Sequence, residues 1–250
     1  TQPTVTYSPS DDFNIIYSSG TTGLPKGIVQ THRARLHWAF SNALEMGITD
    51  SARSLTTTPL YSNGTWLMML PTLFVGGTLV VMTNFEPMKF LQTLEHEAIT
   101  HTFMVPTQYQ MVLEQPNLDE INLNKLQILL CAGSPLRPHV KKEVIRLFGD
   151  KLIELYGFSE GFGSMLKPGQ HNSKMETVGV PVIGFEVLIL DEAGNPLPPN
   201  EIGEIAGYGA GMMKEYYREP EKTAELIVHD SRGRSFIRSG DIGAVDEDGF

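Results

Sequence analysis

From residue 1 to about 160, short β-branched or apolar runs alternate with longer stretches of helical periodicity, which limits the chain to a mainly parallel sheet covered by helices. Strands are expected at Phe13 to Tyr17, Ser54 to Thr58, Thr78 to Met82, His101 to Val105, Gln127 to Cys131 and Lys151 to Tyr156. Helices are expected at Arg33 to Met46, Trp66 to Phe74, Pro87 to Glu97, Pro106 to Gln115 and Pro138 to Phe148, several opening at a proline suited to a first turn. After about residue 170 the pattern changes to short strands set off by turn residues: Glu186 to Leu190, Gly203 to Gly207, Ser235 to Arg238 and Asp241 to Asp246. The expected fold is α/β, with a helix-flanked, mainly parallel sheet over residues 1–170 and a small β-rich unit, a distorted barrel, over 171–250. Loops at the sheet ends hold the functional candidates.

The 250 residues can bury a substantial core, and Gly 24 with Pro 16 stays below the roughly 25–30% that marks low-complexity chains. A net charge of -10 repels nucleic acid and anionic membrane, so any phosphate bound here is held by local chemistry. The single cysteine, Cys131, excludes an internal disulfide and a cysteine-based metal cluster and fits a reducing, cytoplasmic setting. No charged residue falls between Arg53 and Glu86, but Pro59, Gly64, Pro71, Gly76 and Gly77 cut that stretch into pieces too short for a transmembrane segment. The start, Thr1-Gln2-Pro3-Thr4, has no initiator Met, basic region or apolar signal core, and the chain reads as cut from something longer.

The most informative stretch follows the first expected strand: Tyr17-Ser18-Ser19-Gly20-Thr21-Thr22-Gly23-Leu24-Pro25-Lys26-Gly27. Its four hydroxyls, two glycines that let backbone N–H groups come close, and one lysine form a cradle for an oligophosphate. The same composition also makes an ordinary Ser/Thr/Gly surface turn; placement after a buried strand favours the cradle. It is not a Walker A loop. Counted from Gly20, that pattern needs glycine at 25 and Ser or Thr at 27, where the chain has Pro25 and Gly27.

These residues resemble the signature loop of the adenylate-forming superfamily, which comprises acyl- and aryl-CoA ligases, nonribosomal peptide adenylation domains and luciferases. Three further segments are similar to family motifs, in the family's order: Leu155-Tyr156-Gly157-Phe158-Ser159-Glu160; Gly203-Glu204-Ile205 with Gly207 and Tyr216-Tyr217-Arg218-Glu219-Pro220; and Arg238-Ser239-Gly240-Asp241-Ile242-Gly243. The resemblance implies an acyl-CoA synthetase that uses ATP and Mg²⁺ to convert a carboxylic acid to acyl-AMP and pyrophosphate, then passes the acyl group to CoA. Such chemistry is mostly positioning and charge neutralisation.

By resemblance, Ser18, Ser19, Gly20, Thr21, Thr22, Gly23 and Lys26 hold the β- and γ-phosphates, and Glu160 holds the metal, as suits a hard cation that prefers one or two carboxylates plus water. Ser159 supplies a hydroxyl where the family usually has threonine. Tyr156 lies where an aromatic ring stacks on adenine, beside Gly157, while Gly133 and Ser134 belong to the loop lining the adenine and acyl pockets. Asp241 lies where an aspartate accepts from ribose hydroxyls. Tyr61 and Trp66 fall in the segment bordering the acyl pocket, with Ser62 where many relatives carry histidine. Taken singly, each has a plainer reading: Glu160 as an exposed turn carboxylate, Tyr156 and Trp66 as core aromatics, Gly133 and Asp241 as turn residues. Lys214-Glu215 replaces the family's usual glycine before the tyrosine, for which only a local turn change is expected.

The resemblance spans essentially the whole chain but only the middle of the family's architecture. It implies that the start of the large domain and the mobile C-terminal domain with its catalytic lysine lie elsewhere, so that these residues alone turn over slowly. A fatty acyl-CoA synthetase is the leading expectation, with an aryl-CoA ligase next. A catalytically inactive nucleotide-binding relative is a third reading, argued against by the intact Lys26, Glu160 and Asp241. A kinase or NTPase is disfavoured by the failed Walker register. Scattered histidines without ligand spacing speak against a zinc site, and no Gly-x-Ser-x-Gly elbow marks a hydrolase.

Overall fold

The computed structural model describes residues 4–19 and 25–250. Along the chain, strand β1 (Asp12–Ser19) turns back into β2 (Pro25–Thr31), and helix α1 (His32–Met46) follows. Then come β3 (Arg53–Thr56), α2 (Asn63–Phe74), β4 (Thr78–Val81), α3 (Pro87–His96), β5 (His101–Met104), α4 (Pro106–Leu113), β6 (Ile128–Cys131), α5 (Pro138–Phe148) and β7 (Leu152–Gly157). The remainder is β8 (Gly163–Leu166), a short α6 (His171–Lys174), β9 (Val180–Pro181), β10 (Phe185–Leu190), β11 (Gly203–Gly209), β12 (Glu215–Tyr216), α7 (Pro220–Glu225), β13 (Ile227–His229) and β14 (Ser235–Gly243).

Two compact units result, interleaved in sequence rather than divided near residue 170. One comprises residues through Trp38, Phe158–Phe162 and Gly184–Ala244; the other comprises Ala39–Gly157, Gly163–Ile183 and Val245–Phe250. The second unit holds a seven-stranded sheet ordered β4-β3-β5-β6-β7-β8-β9, parallel from β4 to β7 and antiparallel from β7 onward. Prolines at the first turns of α3, α4 and α5 fix the entry φ where the missing N–H costs nothing. These helices bury Phe90, Leu91, Leu94, Tyr109, Val112, Val140, Val144 and Phe148 against Leu55, Met104, Leu129 and Leu152 of the strands. The charge-free stretch becomes the end of β3, α2 and β4, with Leu55 and Met68 fully buried. Among the described residues no helix is long and apolar enough to cross a membrane.

The first unit holds two antiparallel sheets, β10-β11-β14-β13 and β1-β2-β12. Two expectations are corrected here. The strand at Phe13 to Tyr17 forms, but it joins β2 and β12 instead of the parallel sheet, because β1 pairs antiparallel with β2, the next strand in sequence. The strand expected at Ser235 to Arg238 and the first part of that expected at Asp241 to Asp246 are one strand, β14, which ends at Gly243 and whose pairing with β11 shifts register between Glu204 and Ala206. An irregularity of this kind leaves residues unpaired within a continuous strand.

Candidate active site

Gly20, Thr21, Thr22 and Gly23 of the expected phosphate loop lie outside the described residues. Its two arms are β1 and β2, paired Ile16 to Ile28, Tyr17 to Gly27, Ser18 to Lys26 and Ser19 to Pro25. Directly opposed residues share a face, so Ser18 and Lys26 lie on one side of the sheet together with Ile28. On the other edge of β2, Tyr216 of β12 is opposite Ile28 and so lies on that side too. The ring of Tyr216 is buried, and the Lys26 Nζ stands 5.0 Å from its centroid, within reach of a cation–π attraction. The Tyr216 hydroxyl donates to Glu160 Oε1 at 2.5 Å. Burial first, then the Glu160 carboxylate, push the phenol pKa far up, which keeps it a donor.

Glu160 is held there by its backbone. Its carbonyl accepts from the Met213 N–H at 2.6 Å. The next residue, Gly161, has φ +124, and an added Cβ would lie 2.3 Å from the Gly211 carbonyl oxygen and 2.7 Å from Met212 Cα, so only glycine fits. The strand that Glu160 meets is pinned from its far side: Lys214 N–H donates to Val29 O at 2.9 Å, and Tyr217 N–H donates to Gly27 O at 2.7 Å. Lys214 points its ammonium to Asp12 on β1 at 2.8 Å. Ser159 is half-buried in the same turn as Glu160. The structure thus brings Lys26 and Glu160 to one aromatic ring, and among the described residues neither is ion-paired.

Asp241 sits in the irregular part of β14, exposed, with the preceding Gly240 at φ +79. Glu204 braces this bend from β11. Its Oε1 accepts from the Gly240 N–H at 3.0 Å, and its Oε2 accepts from Arg238 Nε at 2.7 Å. Ser239 Oγ donates to Ile205 O at 2.7 Å and accepts from the Asp241 N–H at 3.0 Å.

Gly133, Ser134, Tyr156, Gly157, Tyr61 and Trp66 belong to the second unit, at or after the carboxyl ends of the parallel strands β3, β6 and β7. Ligands of open α/β sheets bind at this edge. Gly133 takes φ +98, a left-handed conformation for which glycine is favoured. Under its loop lies a buried ion pair between Lys141 of α5 and Glu154 of β7. Glu154 Oε1 accepts from the Leu136 N–H at 3.0 Å, and Lys141 Nζ donates to Met175 O at 2.7 Å. One strand over, Gln108 Oε1 accepts from the Val105 N–H and the Thr57 hydroxyl, tying the ends of β5 and β3. Tyr156 is half-buried, and Tyr61 is 82% exposed. Trp66 is also half-buried, not enclosed in the core, and its Nε1–H donates to Leu60 O at 2.7 Å.

Sequence reasoning assigned no role to Tyr216 and Glu204, though it quoted them within motifs, and passed over Glu154 and Lys141. Two of them carried a readable signal. A glutamate between Ile153 and Leu155 of a buried strand, and a lysine beside Val140 on the buried face of a helix, each demand a partner. Tyr216 and Glu204 act through cross-strand register, which sequence does not print.

The family described as AMP-binding enzyme matches residues 1–217. The chain is 34% identical over 240 residues to a feruloyl-CoA synthase of Amycolatopsis, covering 94% of this chain and 48% of that protein. It is 29% identical over 245 residues to the medium/long-chain-fatty-acid–CoA ligase FadD8 of Mycobacterium tuberculosis, covering 97% and 42%. Among solved structures, the amide bond synthetase McbA of Marinactinospora thermotolerans superposes with a TM-score of 0.85 at 30% identity, covering 94% of this chain and 47% of that one. ATP-bound MatB of Rhodopseudomonas palustris superposes with a TM-score of 0.87 at 27% identity, covering 100% and 49%. The chain spans about half the length of the relatives it matches. A matching family over most of the chain, together with this fold, places it: the chain belongs to the AMP-binding enzymes, the adenylate-forming family of acid–CoA ligases.

Proposed function

We propose that the chain is the nucleotide- and acyl-binding core of an ATP-dependent acid–thiol ligase, acting in the cytoplasm as a fatty acyl-CoA synthetase. The observation that carries this reading is the placement of Lys26, at the foot of the hydroxyl-rich loop, and Glu160 on the same tyrosine. A carboxylate oxygen of the substrate attacks the α-phosphorus of ATP, the bond to the β-phosphate breaks, and pyrophosphate leaves. Lys26, Ser18 and the loop's further hydroxyls and N–H groups take up the charge gathering on that leaving group. Removing one well-placed donor of this kind raises the barrier by about 3–4 kcal/mol.

The donor set fits a nucleotide-borne Mg²⁺. One carboxylate oxygen of Glu160 is engaged by Tyr216 and the other is left for a cation. Among the described residues no group of three or more His, Cys, Asp or Glu side chains could hold a metal ion, and Glu160 would be the residue that holds the nucleotide-borne cation, which prefers one or two carboxylates plus phosphate and water. When bound, it neutralises phosphate charge. By resemblance alone, the family motifs assign Asp241 to the ribose hydroxyls, Tyr156 to adenine, and the Gly133 and Ser134 backbone to the adenine and acyl positions.

The segment that carries Tyr61 and Trp66 has no charged residue from Ser54 to Phe85, which suits an uncharged acyl tail. An aryl acid satisfies the same condition, and the 34% identity to a feruloyl-CoA synthase favours it as the second reading. The test is a panel of fatty, aryl and amino acids offered with ATP, Mg²⁺ and CoA to the full-length protein. AMP release with fatty acids is expected. AMP release with aryl acids alone selects the second reading, and release of ADP in place of AMP refutes both.

A further inference from the structure

Tyr216 belongs to none of the phosphate, metal, ribose or acyl positions suggested by the sequence, yet two of those positions meet on it. Its ring is 3% exposed and packs with Ile28, Met213 and Ile237. Its N–H donates to Thr223 Oγ1 at 2.9 Å, so the backbone is fixed at both the strand and the following helix. A phenol buried to this degree needs one acceptor. Here the acceptor is a carboxylate 56 residues away in sequence, at 2.5 Å, a charge-assisted bond that restrains the rotamer of Glu160. The opposite charge, Lys26, rests on the same ring, 5.0 Å from its centroid. Among the described residues no ion pair forms between Lys26 and Glu160, although both contact this one side chain. Paired, each would neutralise the other and neither would serve a ligand.

We propose that Tyr216 is a positioning residue: its hydroxyl engages one oxygen of Glu160 and leaves the second for the divalent cation carried by the nucleotide, while its ring holds Lys26 apart for the phosphate oxygens. The inference rests on the proposed nucleotide site. It predicts that loss of the hydroxyl alone impairs the contribution of the cation to nucleotide binding, with Lys26 still seated on a phenylalanine ring.

The experiment is isothermal titration of ATP into the 250-residue chain, with EDTA and then across a Mg²⁺ series, for the unmodified protein, Tyr216→Phe, Glu160→Gln and the double variant. In Tyr216→Phe the affinity without Mg²⁺ stays within about twofold, whereas the gain on adding Mg²⁺ falls roughly tenfold, the worth of one hydrogen bond to a charged group. In the Glu160→Gln background the same change costs nothing further, because the group being positioned has lost its charge. A Mg²⁺ gain in Tyr216→Phe equal to that of the unmodified protein overturns the inference. So does an equal weakening with and without Mg²⁺, the signature of a packing defect. If the unmodified chain binds no ATP, or gains from Mg²⁺ in a way that Glu160→Gln leaves intact, the nucleotide-site reading itself fails.

Discussion

Replacing Lys141 with methionine isolates the ion pair beneath the Gly133 loop. Lys141 and Glu154 are 4% and 3% exposed, so the substitution leaves a carboxylate in the interior with only the Leu136 N–H as a partner. Breaking a buried pair by removing one member costs about 3–5 kcal/mol, because the remaining charge keeps its desolvation penalty and loses its compensation. At about 2–4 °C per kcal/mol for a chain of this size, the melting temperature falls by roughly 6–20 °C. The double variant Lys141→Met/Glu154→Leu removes both charges and recovers most of that loss. It keeps a deficit of about 1–3 kcal/mol from the Leu136 N–H, which no longer has an acceptor. Urea unfolding followed by circular dichroism measures both, with an unchanged slope confirming that the native state is what moved. Because Gly133 belongs to the loop that this pair supports, weaker adenine-nucleotide binding is expected to accompany the single variant. A single variant within about 1 kcal/mol of the parent, or a double variant no more stable than the single, refutes the reasoning.

Gly161→Ala sets a Cβ against the Gly211 and Met212 backbone at a φ that L residues rarely adopt, a cost of roughly 3 kcal/mol or more. It also displaces the adjacent Glu160, so thermal melting and Mg²⁺-dependent ATP binding should fall together. Burial pushes the Cys131 thiol well above its ordinary pKa, so iodoacetamide at mildly alkaline pH should leave the native protein unlabelled and modify it in urea. Burial also lowers the pKa of His101, whose Nε2 faces the Met46 carbonyl at 3.1 Å. The unfolded chain then binds this proton more readily than the native one, so stability is lost as pH falls through the ordinary value of 6.5. The urea midpoint followed downward from neutral pH should show this decline, and His101→Gln should show less of it.

The strands of the parallel sheet were legible to within a residue or two, because runs such as Gln127 to Cys131 and Lys151 to Tyr156 are apolar, short and separated by helical periods. Helix starts at Pro87, Pro106 and Pro138 were equally plain, since proline at a first turn marks the boundary itself. What stayed hidden depends on pairing between distant segments. Pro25 to Thr31 opens with proline, lysine and glycine and does not look like a strand, yet it becomes one because β1 and β12 flank it. The antiparallel strand Gly163–Leu166 is four residues long and starts with glycine, so local propensity says nothing of it. In the candidate site, Lys26, Glu160 and Asp241 are named by resemblance to family motifs. Tyr216 stands in a quoted motif with no role assigned to it, although its position opposite Ile28 makes it the contact between Lys26 and Glu160.

The most direct measurement is a crystal structure of the chain grown with ATP and Mg²⁺. The β- and γ-phosphates should lie along the turn between Ser18 and Lys26, with one oxygen of Glu160 on the metal and the other still on the Tyr216 hydroxyl. Phosphates bound at any other place, or a metal held without Glu160, would contradict the proposed site.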